Sequence, residues 1–175
     1  MLLAAVNSTA FKLVLVLHLI SVVVGFGGIT LIGFVGAASQ QYPGPPGQAV
    51  FDTSQRLGKV AEYFIYAVPV FGIALLFIST TAGNHVYWWD QGWVSASLAI
   101  YILTLGFVHS LHLPNLRKMG ELMAEMNAGP PPAAGGPPPQ VAELQERGKR
   151  AGLYGGITNV AWVVVLILMV WKPGL

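Results

Sequence analysis

The chain has 175 residues, of which 54% are hydrophobic and 9% are charged, whereas soluble domains average about 25% charged residues. This composition predicts a membrane protein. The formal net charge of +2 is too small to indicate a nucleic-acid partner, and the absence of cysteine excludes a disulfide framework, a thiolate metal site and thiol catalysis.

Four long apolar segments predict an all-α fold, a bundle of four transmembrane helices in a single domain. Crossing the hydrocarbon core of a bilayer takes about 20 residues at a rise of about 1.5 Å per residue. The predicted spans are residues 11–38, 60–82, 94–113 and 155–171. The first segment is far longer than the apolar part of a signal peptide and follows no basic cluster, so we expect it to be retained as a span.

The first span contains one histidine and several glycines. At heptad spacing, His18, Ser21, Gly25 and Gly28 lie on one stripe, and small residues on such a stripe let another helix pack closely. We therefore expect Ser21, Gly25 and Gly28 to be helix-packing residues. His18 should face the interior of the bundle.

Three roles for His18 remain open at this point. It could donate a hydrogen bond to another helix. It could be an axial ligand of a haem b, with Met169 of the fourth span as the thioether at matching depth. It could also bind copper together with Met169 and His85.

The three connections between the spans differ in composition. Residues 39–59 begin with a Pro/Gly-rich stretch, residues 83–93 are aromatic, and residues 114–154 include a Pro/Gly-rich linker at 129–139. Proline lacks the backbone N–H and restricts the residue before it, so this linker cannot form a packed helix. The flanking segments 116–127 and 140–150 predict short interfacial helices on the headgroups or, alternatively, a surface on which a partner docks.

Positive charges indicate the orientation, because cytoplasmic connections carry an excess of Lys and Arg. Lys12 and Lys172 lie at the opposite ends of the spans. The other seven basic residues lie in the first and third connections: Arg56, Lys59, Arg117, Lys118, Arg147, Lys149 and Arg150. We predict a multi-pass protein of a bacterial plasma membrane with both termini outside.

A second polar set is predicted near the cytoplasmic ends of the spans. Glu62 and Tyr66 share one helix face, as do His109 and His112. Along their helices, His18 lies ~9 Å and His109 ~22 Å below the outer boundary, so the two sets should be separate. Glu62, His109 and His112 could form a metal or proton-handling site. Alternatively, Glu62 pairs with a basic residue of its own helix and the histidines lie at the headgroups.

The two ends of the chain carry a resemblance. The segments KLVLVLHLISVVVGFGG at 12–28 and VLILMVWKPG at 165–174, together with four spans, resemble a family of small bacterial integral membrane proteins of unknown function. More distantly, a histidine early in the first span followed by glycines is similar to the CopD copper-resistance proteins and the HemJ-type protoporphyrinogen oxidases. The latter resemblance implies that His18 is a haem-binding histidine.

The expected function is that of a non-catalytic accessory or assembly subunit of a larger bacterial membrane complex, in contact with the lipid bilayer and other membrane subunits. Ionisable groups within the spans are few, glycine-rich helix faces favour helix contacts, and a long proline-rich connection would become ordered against a partner. No catalytic residue is predicted. The alternatives are a haem- or metal-binding redox protein that uses His18, and a small-solute carrier lined by Glu62, Tyr66 and Asn159.

Overall fold

The computed structural model describes residues 6, 8–129 and 139–174. The predicted all-α bundle is confirmed. Four long helices pack together: α1 (Thr9–Gln41), α2 (Pro45–Ile78), α3 (Gly92–Ala128) and α4 (Pro139–Trp171). Each is long and apolar enough to cross a membrane, so the chain is a four-span membrane protein in contact with the lipid bilayer. Most of the predicted linker at 129–139 lies outside the described residues.

The first helix, α1, is continuous but changes its winding three times. It contains an α-helical segment Thr9–Val22, a π-helical turn Val23–Gly27, a second α-helical segment Gly28–Ala38 and a short 3₁₀ turn Ser39–Gln41. Ser8 caps its start, because the Ser8 hydroxyl oxygen accepts a hydrogen bond from the Phe11 N–H at 3.1 Å.

The second helix, α2, begins much earlier than the predicted span. It starts at Pro45, directly after a tight turn in which Gly44 has a φ of 74°, a conformation that glycine adopts without strain. Most of the predicted connection 39–59 is therefore helical. The helix stays ordered there because Phe51 and Ser54 are buried against other helices.

At its other end, α2 stops at Ile78, four residues before the predicted boundary at residue 82. The chain then forms a small antiparallel hairpin of β1 (Thr80–Thr81) and β2 (Asn84–His85). Ala82 and Gly83, with φ values of 50° and 86°, make the turn, since a two-residue hairpin turn matches strand twist when both central residues have positive φ.

The third helix, α3, contains the second π-helical turn, Val108–His112, followed by the α-helical segment Leu113–Ala128. Pro114 explains the position of this turn. Proline has no N–H for the carbonyl four residues earlier, that of Ser110, and its ring clashes with that carbonyl. The wider turn just before Pro114 accommodates both effects.

The segments 116–127 and 140–150, predicted as short interfacial helices, are helical as expected, but they are not separate elements. Both segments are continuous with the spans α3 and α4. Their apolar faces are buried against each other and against the start of α2, around Phe51, Met119 and Met123. Helical partners, not lipid headgroups, cover these amphipathic stripes.

Residue counts along the helices locate the bilayer. We counted about 20 residues, or ~30 Å, along each helix from the end at Ile78 of α2, Gly92 of α3 and Trp171 of α4. The count reaches Lys59, His112 and Ala151, respectively. Beyond that level α2 carries Asp52 and Arg56, and α3 and α4 become rich in charge. We call this end of the bundle the charged end. The opposite end, which carries residues 79–91 and the outer ends of α1 and α4, is the loop end.

The centre of the bundle is aromatic. Phe26 of α1 stacks on Trp162 of α4 with ring centroids 4.3 Å apart, and Tyr101 of α3 lies against the same indole. The Tyr101 hydroxyl donates to the Ile65 carbonyl of α2 at 2.7 Å. That carbonyl has no helical partner, because the residue four positions later is Pro69.

Candidate functional sites

His18 lies inside the bundle, with 6% of its surface exposed. Its Nδ1 is 2.9 Å from the carbonyl oxygen of Val68 on α2. A carbonyl only accepts, so Nδ1 carries the hydrogen and Nε2 has the lone pair. Gly72 makes room for the ring, since a Cβ at that position would be 3.2 Å from His18 Cε1. The histidine thus holds α1 against α2 at the point where Pro69 interrupts the helical bonding.

The small residues of the predicted packing stripe also face α2. A methyl group added at Gly25 would lie 3.0 Å from both the backbone nitrogen and Cγ1 of Ile65, and one added at Gly28 would lie 3.3 Å from the Ala61 side chain. Ser21 is buried and donates to the carbonyl of Leu17 at 2.8 Å. The two helices approach closely along this line.

Met169 and His85, the other predicted partners of His18, lie nearer the loop end. Met169 packs against the apolar cluster of Leu76, Trp93 and Val94. Leu76 is about one helical turn beyond Gly72, where His18 rests. His85 is exposed and stacks on Trp88 with ring centroids 3.9 Å apart. The haem pair and the copper set stay predictions.

The second polar set forms a hydrogen-bonded triad of Glu62, Tyr66 and His109. The Tyr66 hydroxyl is hydrogen-bonded to Glu62 Oε1 and lies 2.7 Å from His109 Nε2. His109 Nε2 is also 3.3 Å from Glu62 Oε1, and His109 Nδ1 is 2.9 Å from the carbonyl of Leu105. The triad joins α2 to α3 one to two turns inside the bilayer boundary.

The hydrogens of the triad can be placed in two ways. His109 Nδ1 must donate, because a carbonyl only accepts. If Tyr66 donates to an ionised Glu62, then Nε2 must also carry a hydrogen and donate to Tyr66. If Glu62 is protonated and donates to Tyr66, the tyrosine hydrogen points to a neutral Nε2. The two arrangements contain the same number of protons and differ only in where the hydrogens lie, and the proton-handling site stays a prediction.

His112, the remaining member of the predicted metal set, faces α4 instead. Its ring lies 6.2 Å from that of Tyr154, and its Nδ1 is buried with no hydrogen-bond partner among the described residues. Within the described part of the chain no group of three or more His, Asp or Glu residues is arranged to hold a metal ion. The metal site stays a prediction.

A shallow pocket of about 270 Å³ opens beside the triad, lined by Lys59, Glu62, Tyr63 and Tyr66. The ion pair predicted between Glu62 and a basic residue of its own helix does not occur among the contacts that the structure gives. Glu62 uses Oε1 for Tyr66 and His109, and Lys59 forms no ion pair within the described residues. The pocket therefore offers an unpaired ammonium group beside a carboxylate.

Asn159, which the solute-carrier alternative placed with Glu62 and Tyr66, lies in a different contact. It is 2.8 Å from the hydroxyl of Thr30 and joins α4 to α1. The stacked rings of Phe26 and Trp162 lie one turn away from this pair at the centre of the bundle.

An apolar surface at the charged end was not predicted from the motifs of the sequence. Gly28 lies opposite Ala61, and Gly36 lies opposite Ser54, so the last turns of α1 run beside the charged start of α2. These turns nevertheless expose Leu31, Phe34 and Val35, with 67%, 71% and 43% of their surfaces accessible. The sequence did contain an indication of this surface, because the first apolar segment is longer than the residues needed to cross a bilayer.

Comparison of the chain with protein-family models, curated proteins and solved structures gives no match. The likeness to small four-span bacterial proteins, to CopD and to HemJ-type oxidases therefore stays a prediction.

Proposed function

We propose that this protein is a non-catalytic accessory or assembly subunit of a larger membrane complex. The observation that carries the proposal is the apolar surface of Leu31, Phe34 and Val35 at the charged end. Lipid chains cover exposed apolar side chains within the bilayer, but this surface lies beside the charged start of α2. A contiguous apolar surface outside the hydrocarbon core is typical of a protein interface.

The neighbouring surface of α2 extends this face into a groove. A cavity of about 280 Å³ is lined by Val35, Ala49, Val50 and Thr53, all uncharged. From residue 31 to residue 41, α1 has no charged residue. An apolar helix of a partner subunit fits such a groove, since helices dock through anchors spaced along one face.

The orientation proposed from the sequence indicates the side of the membrane on which this partner would meet α1. Both ends of the described chain lie at the loop end, because four helices separate them. With the basic residues of α2, α3 and α4 at the charged end, the positive-inside rule assigns that end to the cytoplasm of a bacterial plasma membrane. The partner helix would then meet α1 at the cytoplasmic boundary.

Site-specific photo-crosslinking in the native cells tests this proposal. Benzoyl-phenylalanine replaces Phe34 at the apolar surface, and in a matched variant it replaces Leu103, which is equally exposed on α3 but lies within the bilayer. We expect a discrete protein adduct from position 34 and none from position 103. No adduct at position 34, or the same adducts at both positions, would contradict the proposal.

A haem-binding protein is the second candidate, favoured by the geometry of His18. An imidazole whose Nδ1–H is held by a backbone carbonyl presents Nε2 in a fixed direction, as metal-ligating histidines do. Met169, however, packs about one turn nearer the loop end, so the described contacts do not pair it with His18. His18 would be the ligand that this chain supplies, and a bound haem would supply electron transfer.

An absorption spectrum of the protein purified from its native membrane distinguishes the two candidates. A Soret band that is lost in His18→Ala and kept in His85→Ala would establish haem binding through His18. A spectrum without a Soret band would leave His18 with the packing role that its bond to Val68 describes.

A further inference from the structure

We propose that the pocket beside the triad binds the head group of an aminophospholipid from the leaflet at the charged end. The ligand class is a zwitterionic lipid with a phosphate and a primary ammonium group, such as phosphatidylethanolamine. The pocket lies on α2 and shares no lining residue with the partner surface on α1.

The level of the pocket is that of lipid head groups. Lys59 lies about 20 residues from the loop end of α2, at the calculated boundary of the hydrocarbon core. Tyr63, which is 74% exposed, lies one turn deeper. Tyrosine is enriched at this level of membrane proteins because its ring is amphipathic.

The charges of the pocket fit the two ends of such a head group. The Lys59 ammonium group has no ion-pair partner in the part of the chain described and can donate to a lipid phosphate. Glu62 is held by Tyr66 and His109 through Oε1 alone, so Oε2 can accept a hydrogen bond from a primary ammonium group. The carboxylate disfavours a lipid whose head group has a net negative charge.

An exposed stripe on α2 leads from the pocket into the bilayer. Five exposed residues recur at intervals of three or four along this face: Tyr63, Tyr66, Val70, Ile73 and Phe77. From Tyr63 to Ile73 the stripe extends ~15 Å, about the thickness of hydrocarbon in one leaflet. An acyl chain can therefore lie along α2 while its head group occupies the pocket.

Native mass spectrometry of the full chain in detergent tests the site. The protein is mixed with equal amounts of phosphatidylethanolamine, phosphatidylcholine and phosphatidylglycerol that have the same acyl chains. We expect phosphatidylethanolamine to be retained best. Phosphatidylcholine has the phosphate but no ammonium N–H for Glu62, and phosphatidylglycerol has no ammonium group. Preference for phosphatidylglycerol, or no preference among the three, would overturn the proposal.

Variants connect the preference to the two charges. Lys59→Gln should lower the affinity for phosphatidylethanolamine about tenfold, the loss expected for one charge-assisted contact. Arg56→Gln removes a charge one turn away and should change nothing, and Lys59→Arg should retain binding. Glu62→Gln should abolish the preference over phosphatidylcholine. Equal losses in the Lys59→Gln and Arg56→Gln variants, or an unchanged preference in Glu62→Gln, would show that the pocket is not the site.

Soluble phosphoethanolamine distinguishes a lipid from a free head group. Because the stripe on α2 contributes to binding, an excess of phosphoethanolamine should displace little of the lipid. Complete displacement at equimolar concentration would overturn the assignment to a lipid. Circular dichroism of each variant verifies that the helices are intact.

Discussion

Single residues determine where α1 and α2 touch. Gly25 lies in the π-helical turn of α1, and the backbone of α2 occupies the space that a larger side chain would need. Gly27, two residues later, faces open space, with no atom of another helix within 4 Å of an added Cβ. The two glycines therefore have different roles although both lie in the same turn.

We expect Gly25→Ala to destabilise the bundle by about 1–3 kcal/mol, because its methyl group would press on the Ile65 backbone nitrogen. Gly27→Ala should be neutral or slightly stabilising, since alanine favours helix. Unfolding in mixed detergent, followed by circular dichroism, measures both variants. Equal stability of the two would contradict the close contact at Gly25.

The hydroxyl of Tyr101 supplies a hydrogen bond that Pro69 cannot make. It donates to the Ile65 carbonyl, which Pro69 leaves without an N–H partner. Tyr101→Phe should cost about 1–3 kcal/mol, since it leaves a buried acceptor unpaired. In a Pro69→Ala background the new N–H can bond that carbonyl, so the cost should be smaller. A double-mutant cycle of unfolding free energies checks this coupling, and strictly additive effects would contradict it.

At the scale of the helices, α2, α3 and α4 continue beyond the bilayer and form a core of their own. Phe51 is 2% exposed within this core. Gly120 of α3 makes room for its ring, which is 3.2 Å from an added Cβ at that position. Asn115 of α3 donates to the Arg147 carbonyl of α4 at 2.9 Å. The charged end is therefore a packed extension of the spans.

Phe51→Ala should destabilise the protein by about 3–5 kcal/mol, the usual cost of truncating a buried phenylalanine. Leu57→Ala, on an exposed side of the same helix, should have little effect. The same detergent unfolding assay measures the two variants. If Phe51→Ala were as mild as Leu57→Ala, helices that lie separately on the headgroups would describe this end better.

Some of these elements could be predicted from the sequence and others could not, for a physical reason. Long apolar runs identify the spans because only helices satisfy the backbone inside a bilayer. The amphipathic stripe around Met119 and Met123 would look the same against headgroups or against other helices, so its partner could not be predicted. The four-residue spacing placed Glu62 and Tyr66 on one face. The contact of Tyr66 with His109 depends on the rotation of α3, which no spacing rule gives.

For the whole molecule, the length of α1 relative to its neighbours is the feature with functional consequences. The other three helices become charged at the calculated boundary of the bilayer, whereas α1 stays apolar to residue 38. Its exposed side chains there are the basis for a partner surface. The same boundary places Lys59 and Glu62 where lipid head groups lie. Both proposals therefore depend on the position of the bilayer along the bundle.

Spin-label accessibility in lipid bilayers measures that position directly, and the absence of cysteine makes single labels specific. Labels are placed at Phe34→Cys, at Lys59→Cys as the boundary reference, and at Val23→Cys as the reference within the bilayer. We expect the Phe34 label to collide with a water-soluble nickel complex as readily as the Lys59 label does. A Phe34 label that is shielded from nickel and exposed to dissolved oxygen, like the Val23 label, would contradict it.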